Sequence, residues 1–219
     1  MVICLSISQN IKSYPQNFTK LQSLNFTSSA NGKKRYSILI VVVTGRLGFE
    51  RASASLEASH RTYCLVRSSS LSDPKKSRKL QFLVDSDGII LEGSLHDEGS
   101  LVEAVKQVNV VICAVNSKQV LDQKPLISAI KKAGCIKRFI PSEFGLDPDK
   151  THISDMDQGF YSRKSEIRRL VESQDIPYTF ISCNFFMSYL LPSLIQPGKK
   201  PHQEINSPYL ETETSKVFL

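Results

Sequence analysis

The stretch Ser37 to Gly48, SILIVVVTGRLG, restricts the fold more than any other. An apolar run bounded by a turn reads as a buried parallel strand, and glycines follow where a helix should start. A dinucleotide-binding unit begins this way: backbone N–H groups at a helix N-terminus meet a pyrophosphate, and glycines let it approach. The full pattern places a further glycine three residues before Gly45, where this chain has Val42. Valine is β-branched and avoids the positive φ that such a turn can require. On these residues alone, an ordinary strand followed by a loop remains an equal alternative.

The rest of the chain alternates in the same sense. Helix is expected over Leu47 to Ser59, although Glu50 and Arg51 stand where an inward stripe belongs. Strand follows over Thr62 to Val66, helix over Lys76 to Val84, strand over Gly88 to Leu91 and helix over Glu98 to Gln107. Val108 to Val115 is apolar throughout, as a central parallel strand should be. Gln119 to Ala133 reads as a helix closed by Gly134. Strand at Lys137 to Pro141, helix at Gly159 to Ser173 and strand at Pro177 to Cys183 complete the series. Strands alternating with helices imply an α/β fold with a parallel sheet and right-handed crossovers.

At 219 residues and 41% hydrophobic content, the chain suits one large domain with a sizeable core. No apolar run reaches the length of a membrane span. Cys4, Cys64, Cys113, Cys135 and Cys183 are scattered and form no C-x-x-C pair, so they read as small core residues in a reducing compartment. The four histidines are dispersed without metal-ligand spacing, and no metal site is expected.

The net charge of +7 invites a nucleic-acid partner, but its distribution opposes one. Lys12, Lys20, Lys33, Lys34 and Arg35 lie in a segment without acids, which leaves only +2 for the remainder. Residues 1–36 are rich in Ser, Asn, Gln and Thr, lack clear periodicity and read as a disordered extension.

Two sets of cations carry candidate chemistry. Arg67 directly follows the second strand, with Lys75 and Lys76 nearby. That strand end faces the adenosine ribose in such folds, where a base accepts a 2′-phosphate and an acid favours a free hydroxyl. The position therefore points to NADP over NAD, against the alternative of a solvated basic loop. Lys164 and Arg168 share one helical stripe, while Ile167, Leu170 and Val171 lie on another that should face the sheet. A lysine beside a second cation is pushed toward neutrality and can then exchange a proton. From spacing alone a solvated basic face is the stronger alternative, because Arg163 and Arg169 join it. Tyr161 stands three residues before Lys164, not the four of a Tyr-x-x-x-Lys pair.

The stretches TYCLVRSSSLSDPKKS, SLVEAVKQVNVVICAV, AIKKAGCIKRFIPSEFGLDPD, KSEIRRLVES, IPYTFISCNFF and LLPSLIQPG together resemble the plant isoflavone reductase-like family. That family lies in the NmrA-like branch of atypical short-chain dehydrogenases and includes isoflavone, phenylcoumaran benzylic ether, pinoresinol–lariciresinol and leucoanthocyanidin reductases and eugenol synthase. The resemblance implies a Rossmann-like, doubly wound parallel sheet over 37–198. It implies NADPH as cofactor, with Thr44, Gly45, Arg46, Leu47 and Gly48 bordering the pyrophosphate and Arg67 and Lys76 on the 2′-phosphate. It implies Lys164 as the catalytic acid/base and Arg168 as a cofactor contact, with Pro141 to Gly145 and Asn184-Phe185 lining the cleft. It also implies hydride transfer to a phenolic substrate, with Lys164 moving the proton that stabilises a phenolate or quinone-methide-like intermediate.

The chain departs from the family at Val42, at Glu50 and Arg51, and after Gly198, where residues 199–219 lose the pattern. The small C-terminal substrate domain is expected to be largely missing. One permitted codon choice for LETETSKV spells the family-like GDGNIKG in another frame, which points to a frameshifted or truncated gene. The resulting expectation is an NADPH-dependent reductase of a phenylpropanoid or flavonoid-type substrate, cytoplasmic rather than plastid, with a homodimer as the candidate assembly and neither nucleic acid nor membrane as partner. The alternative is a non-catalytic NADP-binding sensor or an inactive fragment.

Overall fold

The computed structural model describes residues 6–10, 35–151 and 159–183, the first of these as backbone only. Its centre is a seven-stranded sheet. The strands are β1 (Ser6–Asn10), β2 (Ser37–Val41), β3 (Arg61–Val66), β4 (Ile89–Glu92), β5 (Val110–Cys113), β6 (Arg138–Ile140) and β7 (Tyr178–Ser182). They lie in the order β1-β7-β6-β5-β2-β3-β4. β2 to β7 are mutually parallel, with β2 between β3 and β5. From β2 the chain steps outward through β3 and β4, then crosses to the other side of β2 for β5, β6 and β7. This is the doubly wound arrangement expected, and its strand order reverses beside β2, where such sheets open a crevice at their C-terminal ends.

The helices divide between the two faces. The helices α1 (Arg46–Glu57) and α3 (Pro74–Asp85) pack on one face through Ala52, Leu80 and Leu83, against Ile38, Ile40, Cys64 and Val66. The helices α4 (Glu98–Lys106), α5 (Lys124–Ala133) and α6 (Phe160–Ser173) cover the other face, over Leu39, Val41, Val111, Cys113 and Phe139. Alternation along the strands explains the division, because successive side chains point to opposite faces. No helix among the described residues is long and apolar enough to cross a membrane.

Helix boundaries follow local chemistry. Asp73 caps α3 by accepting from the Lys75 N–H, and Pro74 occupies its first turn. Asp97 caps α4 through the Gly99 and Ser100 N–H groups. Gly134, at φ 63°, closes α5 in the left-handed conformation, as its position in the sequence predicts.

Three features differ from expectation. The single helix expected over Gln119 to Ala133 is a 3₁₀ segment (Ser117–Gln123) followed by α5, because Pro125 in the first turn of α5 starts a new helix. A four-residue helix, α2 (Ser68–Leu71), follows Arg67, where the sequence marks no element. Within the extension expected to be disordered, β1 pairs antiparallel with β7, from Ser6 opposite Ser182 to Asn10 opposite Tyr178. Composition misses such a strand because edge pairing is made by backbone groups, which Ser, Gln and Asn carry like any residue.

The join between β2 and α1 is the tightest point of the fold. A Cβ on Gly48 would meet the Val42 carbonyl carbon at 2.9 Å, and the carbonyl oxygen closer still. Only glycine lets α1 approach the strand end this closely. Gly48→Ala is expected to destabilise the domain by at least ~2 kcal/mol through overpacking against rigid backbone. Denaturant unfolding would measure it, and a midpoint equal to wild type would show that α1 can shift freely.

Candidate active site

The glycine-rich turn links β2 to α1. Val42 adopts φ 66°, in the left-handed region that a β-branched residue avoids, as the sequence led one to suspect. The Gly45 N–H donates to the Val42 carbonyl at 3.3 Å and closes the turn. Gly45 is the N-cap of α1, and no side chain caps that helix end. The first-turn N–H groups of α1 therefore point outward at the sheet's C-terminal edge without a side-chain partner, which suits a phosphate oxygen. Thr44, Gly45 and Leu47 are half-buried and Arg46 is exposed along this rim.

The rim of the crevice beside β3 is basic. Arg67 follows β3, is exposed and makes no ion pair with the described residues. Lys76 pairs with Asp73 at 2.9 Å, a half-exposed contact worth little in water and easily exchanged for a ligand. The sequence did not single out Lys79. Its ammonium lies 3.5 Å from the Thr44 carbonyl and 5.3 Å from the Phe49 ring, so it ties α3 to the glycine-rich turn. The uncapped helix end, the glycine cradle and the free guanidinium together fit a dinucleotide bearing a 2′-phosphate.

The other half of the crevice is built on α6 and the loop after β6. Lys164 and Arg168 are only 4% and 5% exposed, so their stripe is buried beside that of Ile167 and Val171 and is not a solvated basic face. The Lys164 ammonium donates to the Glu143 carbonyl and lies 4.7 Å from the Phe160 ring centre. Burial pulls this ammonium below the ordinary lysine range; Glu143 opposes that shift and Arg168 adds to it. Desolvation is thus the larger cause, where spacing alone had suggested the neighbouring cation.

Arg168 is held by three carboxylates and a hydroxyl. Nε and a terminal nitrogen reach the Glu143 carboxylate at 2.9 and 2.7 Å. The other terminal nitrogen reaches Asp147 at 2.7 Å and Asp149 at 3.0 Å. Its guanidinium also lies 4.9 Å from the Phe180 ring centre. These carboxylates outweigh burial and raise the Arg168 pKa, while burial raises that of Glu143 against the pull of Arg168.

Sequence reasoning named Ser142 and Glu143 as cleft residues but missed Asp147, Asp149 and Gln123. Buried Gln123 accepts from the Ser142 N–H at 2.8 Å, and the Ser142 hydroxyl donates to the Val115 carbonyl at 2.7 Å. The Cys183 N–H donates to the Gly145 carbonyl at 3.0 Å, tying the end of β7 to the same loop. Arg51, foreign to an apolar helix face, lies 5.4 Å from the Phe144 ring centre, and burial lowers its pKa. Asn184 and Phe185 lie outside the described residues. Among the described residues, no group of three His, Cys, Asp or Glu side chains stands close enough to hold a metal.

Residues 34–215 match the model of the NmrA-like family. The chain belongs to that family. It is 55% identical over 166 residues to a probable pinoresinol-lariciresinol reductase 3 of Arabidopsis thaliana, covering 76% of this chain and 53% of the relative. It is 46% identical over 165 residues to the phenylcoumaran benzylic ether reductase TP7 of Nicotiana tabacum, covering 75% and 54%. Among solved structures, AtPrR2 with NADP+ and (+)pinoresinol matches with a TM-score of 0.70 at 35% identity, covering 76% of this chain and 55% of the other. The leucoanthocyanidin reductase–NADPH complex from Vitis vinifera matches at 0.62 and 34%, covering 65% and 48%. The chain spans about half the length of the curated relatives it matches.

Val42 is the residue of this site most at odds with its backbone. Val42→Gly is expected to relieve the turn and strengthen NADPH binding roughly three- to tenfold, ~0.7–1.4 kcal/mol. Isothermal titration calorimetry would read the change, and an unchanged or weaker affinity would mean that the strain does not oppose the ligand.

Proposed function

We propose that this chain is an NADPH-dependent reductase unit acting on a small phenolic substrate of the phenylpropanoid type, with Lys164 as its proton-transfer group. The observation that carries the proposal is the burial of Lys164 at the C-terminal end of the sheet, on the same rim as the uncapped start of α1. Relatives bear the names of pinoresinol-lariciresinol and phenylcoumaran benzylic ether reductases, and two structural neighbours hold NADP+ or NADPH.

Thr44 to Gly48 would border the pyrophosphate, and Arg67 and Lys76 would hold the 2′-phosphate by charge-assisted hydrogen bonds. Bound NADPH supplies the hydride. Lys164 moves the matching proton at a substrate oxygen. A buried amine disfavours its own charge and so gives up its proton more readily than a solvated lysine, which leaves more of the neutral form able to act as a base. The Phe160 ring stands 4.7 Å from the Lys164 ammonium and lends that end of the crevice an apolar wall.

Val42 favours a second reading, a protein that binds the dinucleotide without turning over a substrate. Its strained turn leaves less room for tight cofactor binding than a glycine would.

Two measurements test the proposal. In calorimetry NADPH should bind at least tenfold more tightly than NADH, about 1.4 kcal/mol; equal affinities would remove the role given to Arg67 and Lys76. With (+)-pinoresinol or a related benzylic ether as substrate, Lys164→Ala should abolish NADPH oxidation while keeping NADPH affinity within about twofold. An active variant would refute the acid/base role, and an inactive wild type that binds NADPH would favour the second reading.

A further inference from the structure

We propose that Arg168 is a positioning residue, which acts by gripping the loop after β6 so that the Glu143 carbonyl meets the Lys164 ammonium. The inference rests on the reading of Lys164 as the proton-transfer group, but its geometry stands independently of any substrate.

The loop from Pro141 to Lys150 leaves the sheet at the end of β6 and carries three carboxylates within ten residues. Arg168 collects all three. It holds Glu143 through two nitrogens and reaches Asp147 and Asp149 with a third. A planar guanidinium with fixed donors can bridge several carboxylates and thereby define their separation, which an ammonium cannot. Arg168 is fixed in its turn: it is buried, lies over Phe180 of β7 and has a nitrogen 3.4 Å from the Ser182 hydroxyl. A rigid strand therefore sets where the guanidinium sits, and the guanidinium sets where the loop runs.

The loop reaches Lys164 through its backbone. The Glu143 carbonyl accepts the ammonium proton, and a Cβ on Gly145 would stand 3.1 Å from the ammonium nitrogen. Lys164 and Arg168 are one turn apart, so the helix holds the lysine and the arginine that braces the lysine's acceptor at a constant distance. Ser142 fastens the near end of the loop to Val115 and Gln123, and Gly145 accepts from Cys183. The Asp147–Asp149 arm is the part of the loop that Arg168 holds, with help from Arg169, which reaches Asp149 at 2.9 Å, and from Ser165 at 3.0 Å. Among the described residues, the charged and titratable groups facing Lys164 are Glu143 from the loop, Arg168 from its own helix and Cys183 from the end of β7.

The test reads the titration of Lys164 directly. Full-length protein carrying lysine labelled at the ε carbon is followed by NMR across pH, with Lys164→Met assigning the resonance, and NADPH affinity is measured in parallel. Two variants are compared with wild type. Arg168→Lys keeps the charge and loses the fork. The double variant Glu143→Met/Arg168→Met replaces the buried pair by apolar groups of similar volume, an exchange that buried ion pairs often tolerate. In both, a released loop admits water to Lys164. In Arg168→Lys, which keeps both charges, the Lys164 pKa should then rise by about one unit or more toward the ordinary lysine value. In the double variant the rise should be smaller, because the Glu143 carboxylate that raises this pKa is removed as well. NADPH affinity should stay within about twofold of wild type in both. A Lys164 titration unmoved in Arg168→Lys overturns the inference. So does a tenfold loss of NADPH affinity with that titration unmoved, which would make Arg168 a cofactor contact. If wild type binds no NADPH, the proposed function fails, whereas the Lys164 titration still decides the role of Arg168.

Discussion

The buried ion pair between Arg168 and Glu143 is the interaction on which the Lys164 half of the crevice depends. It joins α6 to the loop after β6 at 2.7 Å, with 5% and 2% of the two side chains exposed. A buried pair of this kind adds little net stability, since desolvation consumes most of the attraction, yet removing one partner costs about 3–5 kcal/mol because a charge is left stranded. The pair therefore acts as a constraint. It admits one arrangement of loop and helix, and that arrangement turns the Glu143 carbonyl toward Lys164.

The cofactor half of the crevice rests on a different constraint, close approach. α1 can start at the end of β2 only because Gly48 has no side chain to meet the Val42 carbonyl. This proximity brings the uncapped N–H groups of α1 to the sheet rim, where an anion can use them. Val42 carries the conformational cost of the same turn. The two halves meet where strand order reverses beside β2, so the glycine-rich turn and the buried Lys164 are held by separate pieces of backbone on one sheet.

Much of this could be read from the residues. Apolar runs such as VVIC in β5 and YCLV in β3 are too short for helices and too continuous for half-exposed strands, so their places in a parallel sheet were legible. Gly134 marked the end of α5 and Val42 marked a backbone problem. The Lys164–Arg168 stripe was misleading by itself, because a helix bearing four cations resembles a solvated face. Its burial depends on Glu143, Asp147 and Asp149, which lie about twenty residues earlier in the chain. The alternation of hydrophobicity carries no information on such pairing. Ser6–Asn10 was hidden for a related reason, since a strand paired at a sheet edge is held by backbone that every sequence shares.

The sequence by itself determined the α/β alternation, the glycine-dependent turn and the identity of the candidate cations, because hydrophobic period, backbone freedom and formal charge are local properties. Only the tertiary structure decided which cation remains free to meet a ligand and which is consumed by the protein. Arg67 and Arg168 are equally charged in the sequence. One stands at the rim without an ion pair among the described residues, and the other is enclosed by three carboxylates. That difference arises from the long-range folding of the loop after β6 onto α6, and from the loss of water that makes each buried charge seek a partner.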